Sequence, residues 1–249
     1  MTEINFKNLF YFLLFTLSIC SCDKEESPES NSIKNSAIFN SNLTYGTTVD
    51  QEGNSYKTII IGNQTWMAEN LRTTKFRDGS NIPNVSDKTR WHSLNTGAYC
   101  NFNNTLNSDS IIMFGRLYNW YVVSDRRMLA PEGWHIPSVS EWGVLTNYLG
   151  GLTVAGGKLK EVGITHWLSP NKGGTNESGF TALPSGYRGI INGKDSFVYL
   201  NFGSIWWSST TYDNTYAWSR GISSESSSVF VDYEDSDKVY GMSIRCIKD

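Results

Sequence analysis

Three histidines, four cysteines and a carboxylate-rich stretch near the C-terminus are the residues of this 249-residue chain that could do chemistry. Nucleophilic catalysis needs a Ser or Cys beside a His base. His92, His135 and His166 each stand singly in turn-like surroundings, which suits structural hydrogen bonding better than base catalysis. No Gly-x-Ser-x-Gly elbow occurs, and Gly186-Tyr187-Arg188 after Ser185 does not replace one. Zinc is disfavoured because the chain lacks a His-Glu-x-x-His helix and any Cys-x-x-Cys pair beyond the N-terminus. The run Gly156-Gly157-Lys158 fails as a phosphate loop: Leu152 stands where the first glycine belongs, and Leu159 replaces the metal-binding Ser or Thr. Asp232, Glu234, Asp235 and Asp237 could offer oxygens to calcium, but an acidic, solvated hairpin is the simpler reading. No enzyme activity, catalytic residue, metal or cofactor is therefore expected.

What remains is recognition. Tyr212, Asp213, Trp218, Arg220 and Tyr233 lie among Ser and Asn residues, the mixture of rigid rings and small polar groups that binding surfaces favour. They are the candidate ligand-binding residues for an extracellular glycan or protein, and flat rings could stack on sugars. The competing readings are sheet packing in a purely structural surface component, or a carbohydrate-active enzyme with a cryptic site. A net charge of -3 with scattered Lys and Arg argues against a nucleic-acid partner.

These residues must be held by a strand-rich scaffold. Nine Trp and thirteen Tyr with twenty-two Gly and only six Pro fit a strand- and loop-rich extracellular module rather than a helical bundle. Ser138 lies three residues before Glu141, the spacing of a capping box; Trp142, Leu145, Tyr148 and Leu149 then share one helical face, and Gly150-Gly151 ends the helix. A second helix is expected within 115–123, where Leu117, Trp120 and Tyr121 share a face. Residues 56–61 and 64–67 read as a hairpin turned at Gly62-Asn63, and Ala98 to Phe102 as another strand. From residue 180 onward, short strands follow at 180–183, 187–191, 197–200, 205–209, 217–220, 229–233 and 240–246. Residues 72–98 and 103–110 read as long polar loops. The expected class is α+β, with twisted antiparallel strands, two short helices and long loops.

Residues 1–21 read as a lipoprotein signal peptide: Lys7, then an apolar run from Leu9 to Ile19 too short to span a bilayer, then Cys20-Ser21-Cys22. The run resembles a bacterial lipobox. Ser21 before Cys22 fits the small-residue rule and Ile19 before Cys20 does not, so Cys22 is the expected lipidation site. Asp23-Lys24-Glu25-Glu26 resembles the surface-export signal of Bacteroidetes lipoproteins. Residues 22–45, rich in Ser and Asn, read as a flexible tether. The expected location is the outer membrane, lipid-anchored and facing the exterior, with the anchor as the only membrane contact. In an exported chain Cys100 and Cys246 could form one disulfide worth about 2–4 kcal/mol, or remain two buried thiols.

The segment Gly133-Trp134-His135-Ile136-Pro137-Ser138 with Glu141-Trp142 resembles a motif of the Fibrobacter succinogenes major paralogous domain family, abundant in Bacteroidetes-type bacteria. Similar blocks follow at Trp66-Met67-Ala68-Glu69-Asn70-Leu71, Gly115 to Tyr121, Asn176 to Phe180, Leu183 to Arg188, Trp206 to Thr210 and Ser243 to Cys246. The resemblance covers roughly residues 46–249, assigned as one domain. It implies a fold related to C-type lectins and formylglycine-generating enzymes, and no known activity. The calcium motifs of sugar-binding C-type lectins are absent, and the formylglycine-generating enzymes need a cysteine pair where only Cys246 lies. Trp206-Trp207-Ser208 resembles the Trp-x-Trp-Ser core block of lectin-like folds, which implies packing for those rings. Family members often carry a Cys directly before the Pro of the helix block; here that position is Ala130.

Overall fold

A computed structural model describes residues 36–232 and 236–249. The signal peptide, Cys22, most of the tether, Tyr233, Glu234 and Asp235 lie outside the described residues.

The chain opens with a meander of β1 (Gly46–Val49), β2 (Ser55–Ile61) and β3 (Gln64–Met67). Gly62 takes φ +62° at the tight β2–β3 turn, where the Tyr148 ring also lies against its backbone. The stretch from residue 72 to 98 does not wander over the surface. It buries Phe76, Ile82, Val85 and Trp91, and it contains α1 (Lys88–His92), capped by the Asp87 side chain on the Arg90 amide. Polar composition concealed it because only every fourth or fifth side chain turns inward.

After β4 (Tyr99–Cys100) comes α2 (Ser108–Phe114), capped by Asn107 and ended by Gly115 at φ +75°. The single helix expected over 115–123 is instead β5 (Leu117–Tyr118) followed by α3 (Trp120–Val123). Asn119 divides them: its Oδ1 accepts from the amides of both Ala98 and Val122, so its side chain starts a new helix.

β6 (Trp134–His135) leads into α4 (Val139–Tyr148), where the capping box forms: Ser138 Oγ accepts from the Glu141 amide, and Glu141 Oε2 from the Ser138 amide. Trp142, Leu145 and Leu149 point into the core, but Tyr148 is 65% exposed. α5 (Leu152–Leu159) follows. Its Gly156-Gly157 pair has a packing role, since a Cβ at either position would run into the backbone of Ser228 or Gly173.

The remainder is β7 (Ser185–Ile191), β8 (Lys194–Leu200), β9 (Gly203–Thr211), β10 (Ala217–Ser223), β11 (Phe230–Asp232) and β12 (Ile247–Lys248). The strands expected at 180–183 and 240–246 reduce to isolated bridges. One five-stranded sheet has the order β1-β2-β3-β12-β6 and the other β11-β10-β9-β7-β8, with β4-β5 as a separate pair. Among the described residues the pairs of named strands are antiparallel except β7 and β9, which meet in parallel at Gly186 and Ser204; three of the isolated bridges are also parallel. The class is α+β, with five α-helices among the described residues rather than two.

Between the sheets lies an aromatic core. Trp66 and Trp142 approach to 4.8 Å between ring centroids, with Phe180 and Trp206 around them. Trp206 and Trp207 are fully buried, on opposite faces of β9, so both rings pack rather than present a platform. The tether also proves shorter than its composition implies. Phe39, Leu43 and Tyr45 pack on the core, the Ile38 amide donates to Glu161 Oε1 at 2.6 Å, and Asn40 donates to Asn176 O. Residues 36–45 therefore belong to the folded domain.

Cys100 and Cys246 are both buried and free, in different core clusters: Cys100 beside Trp91 and Val85, Cys246 beside Ala130 and Trp134. The disulfide does not form, because separate layers of the core hold the two thiols.

Candidate functional site

The five residues selected as ligand contacts are not brought together. Tyr212 and Trp218 meet edge to face, 5.8 Å between centroids, where β9 leads into β10. Asp213 accepts from the amides of Thr215 and Tyr216, so its carboxylate organises the turn itself. Arg220 is buried on β10, paired across the sheet with Trp206 of β9; it donates to Ser219 O, while its Nε has no partner among the described residues. Burial lowers its pKa. Tyr233 lies outside the described residues.

The other face of the same strands holds a groove of about 350 Å³. Register explains it. Gly221 pairs with Ile205 on β9 and with Phe230 on β11, so a residue without a side chain sits in the middle of a row between two apolar ones. The next row places Ser219 beside Asp232, and the row on the other side places Ser223 beside Gly203. Along β10, Ser219, Gly221 and Ser223 thus form a floor of small residues on one face. Tyr199, from the end of β8, and Phe202, from the β8–β9 turn, form one wall and Phe230 the other.

The first wall is part of a chain of rings. Tyr199 stands 5.2 Å from Phe202 and 5.5 Å from Tyr187, and Tyr187 stands 6.3 Å from Tyr240. Tyr199 is half exposed and its backbone has φ +68°, a left-handed conformation that a bulky residue rarely takes.

Gly221 is the telling residue. Its φ is not positive, and an added Cβ would meet nothing closer than 3.7 Å. Neither backbone conformation nor crowding demands a glycine there, and glycine weakens a strand interior. A close approach by something outside the chain is what the position leaves room for.

Each histidine is engaged by carboxylate. His135 lies 2.6 Å from Asp249 through Nδ1 and 2.7 Å from Glu141 through Nε2. Burial pulls its pKa down, but the bonds to Asp249 and Glu141 outweigh that and hold it above the usual imidazole value. His166 bonds Glu161 at 2.7 Å, and His92 lies 3.1 Å from Asp195, which also takes two bonds from Arg188. Among the described residues no cluster of His, Cys, Asp and Glu comes together as a metal site, and no helix is long and apolar enough to cross a membrane.

Sequence reasoning missed the groove because its floor and walls come from four strands and a turn. One signal was present: the small residues at every second position of 219–223. No curated protein and no solved structure matches the chain. The profile of the Fibrobacter succinogenes major domain matches residues 59–248, which include the capped helix, the groove and every strand except β1 and the start of β2; the chain belongs to that family.

Proposed function

We propose that this chain is a non-enzymatic binding module, C-type-lectin-like in fold, which reaches the cell exterior as a lipid-anchored outer-membrane protein and holds an extracellular glycan or protein in the β9–β11 groove. The observation that carries the reading is the uncrowded Gly221 on a groove floor flanked by exposed rings. Pockets for small ligands are concave and mostly apolar, with a few placed polar groups, and a volume of about 350 Å³ falls in their range. The lipobox-like sequence at Cys22 supports the anchored location. A glycosidase would need two carboxylates flanking the ligand; among the described residues Asp232 alone borders the groove.

The test is binding of the purified full chain in detergent to an array of polysaccharides and mucin-type glycoproteins, with calcium and again with chelator, beside Gly221→Leu. A Cβ at position 221 meets nothing closer than 3.7 Å, so leucine is the substitution chosen to fill the groove, with melting temperature as the check on folding. Saturable binding that Gly221→Leu removes at unchanged melting temperature is the expected result. Binding that survives the substitution overturns the assignment of the groove, and no binding at all overturns the module itself.

A further inference from the structure

The chemistry of the groove narrows its ligand, an inference that rests on the binding-module reading above. The floor contributes backbone at Gly221 and Gly203 and the hydroxyl of Ser223, while Ser219 is fully buried with its hydroxyl bonded to that of Ser236. The walls contribute ring faces, with Tyr199 50% and Phe230 47% exposed. The charged group at its end is the carboxylate of Asp232, and no Lys or Arg lines it among the described residues. In sequence Asp232 is followed closely by Glu234 and Asp235. The site therefore offers apolar rings and hydrogen-bond acceptors without a cation.

We infer that the groove takes an uncharged glycan chain. A hexose ring has a C–H face that lies against an aromatic ring and a rim of hydroxyls that donate hydrogen bonds. An ionised carboxylate is an acceptor with about four lone-pair sites, so Asp232 can take ligand hydroxyls alongside its contacts within the protein. A uronate, sulfated or sialylated chain would bring an anion beside that carboxylate with no Arg or Lys to pair it, an arrangement that excludes such ligands. Gly221 lets a flat sugar ring settle between Phe230 and Ile205.

A peptide is the competing occupant, since β11 is a sheet edge and edges accept added strands. Among the described residues β11 spans three positions, and the three-variant titration below separates a strand-adding peptide from a glycan.

The experiment titrates the full chain in detergent with laminarin, xyloglucan and mannan as uncharged probes, and with homogalacturonan, heparin and polysialic acid as anionic ones. Phe230→Ala, Asp232→Asn and Gly221→Leu are titrated in parallel, with unfolding curves as the check on folding. The expected result is saturable binding of at least one uncharged glycan, weakened about tenfold or more by each substitution, and no groove-dependent binding of the anionic set. Groove-dependent binding of an anionic glycan overturns the inference and leaves the binding module standing. The same holds if deglycosylated mucin, titrated beside them, binds through the groove and no uncharged glycan does. Absence of any ligand that responds to the three variants overturns both.

Discussion

Tyr199 meets Tyr187 edge to face at 5.5 Å, and it does so from a backbone held at φ +68°. A left-handed backbone costs an L-residue about 1–2 kcal/mol, and here that cost accompanies a half-exposed ring at the mouth of the groove. Replacing Tyr199 separates the two effects. Tyr199→Gly relieves the backbone, whereas Tyr199→Ala keeps the strain and loses the ring. The glycine variant is expected to be the more stable of the two by about 1 kcal/mol, the reverse of the usual strand order. Both lose ligand binding. Urea unfolding of the pair measures the difference, and an alanine variant as stable as the glycine one would show that the backbone is not strained.

Lys160 is fully buried, and its Nζ donates to the carbonyls of Lys172, Ser223 and Ser226, each at 2.9 Å. Burial lowers its pKa to about 8, so at neutral pH the ammonium still carries the proton that the third bond needs. It ties the end of α5 to the loop at 172 and to the β10–β11 connection. Lys160→Met takes the ammonium donor away from three carbonyls at once, and the loss of stability is expected to be about 2–4 kcal/mol. A shift in urea midpoint at unchanged slope measures it; a variant within about 0.5 kcal/mol of the parent would contradict the clamp.

His135 joins β6 to α4 through Glu141 and to the C-terminal residue Asp249. Its folded pKa is raised, so its contribution is complete below the unfolded value of about 6.5 and is lost as pH rises through the higher folded value. Burial raises the pKa of Glu141, but hydrogen bonds from Ser138 and His135 outweigh it and lower the value, so that part is lost as pH falls through the acid range. The clamp should be strongest near pH 5–6, as a rough window from these directions. The melting-temperature gap between wild type and His135→Gln is expected to be widest there and to close as pH rises through the raised folded value of the imidazole. A gap that does not vary with pH would mean that the ring acts by packing alone.

The two domain cysteines give a simple check on the core. Burial pushes the Cys100 thiol up to about 12 and raises that of Cys246 further, so neither supplies thiolate at neutral pH. Native protein should leave both peptides unlabelled by a thiol reagent, and denaturant without reductant should label both. Failure to label in denaturant would reveal a disulfide.

How much was legible in advance follows the range of the interactions involved. The capped helix was readable because Ser138 and Glu141 exchange bonds across three residues and Gly150-Gly151 ends the helix beside them. The β2–β3 hairpin was readable for the same reason, its turn lying between strands of recognisable composition. The family blocks gave membership, and the Trp206-Trp207 block indicated packing. The folding of residues 36–45 onto the core was not legible, because their partners Glu161 and Asn176 lie more than a hundred residues away. Nor was the division of 115–123, since the Asn119 side chain reaches back to Ala98.

The groove belongs to the same class. Composition favoured Tyr212, Asp213, Trp218 and Arg220, yet the turn uses Asp213 and the sheet buries Arg220. By itself the sequence determined the capped helix, the β2–β3 hairpin and the family, because neighbouring residues suffice to specify each. The tertiary structure alone decided which side chains share a surface: strand register sets Gly221 between Ile205 and Phe230, and register depends on pairing between segments that composition cannot align.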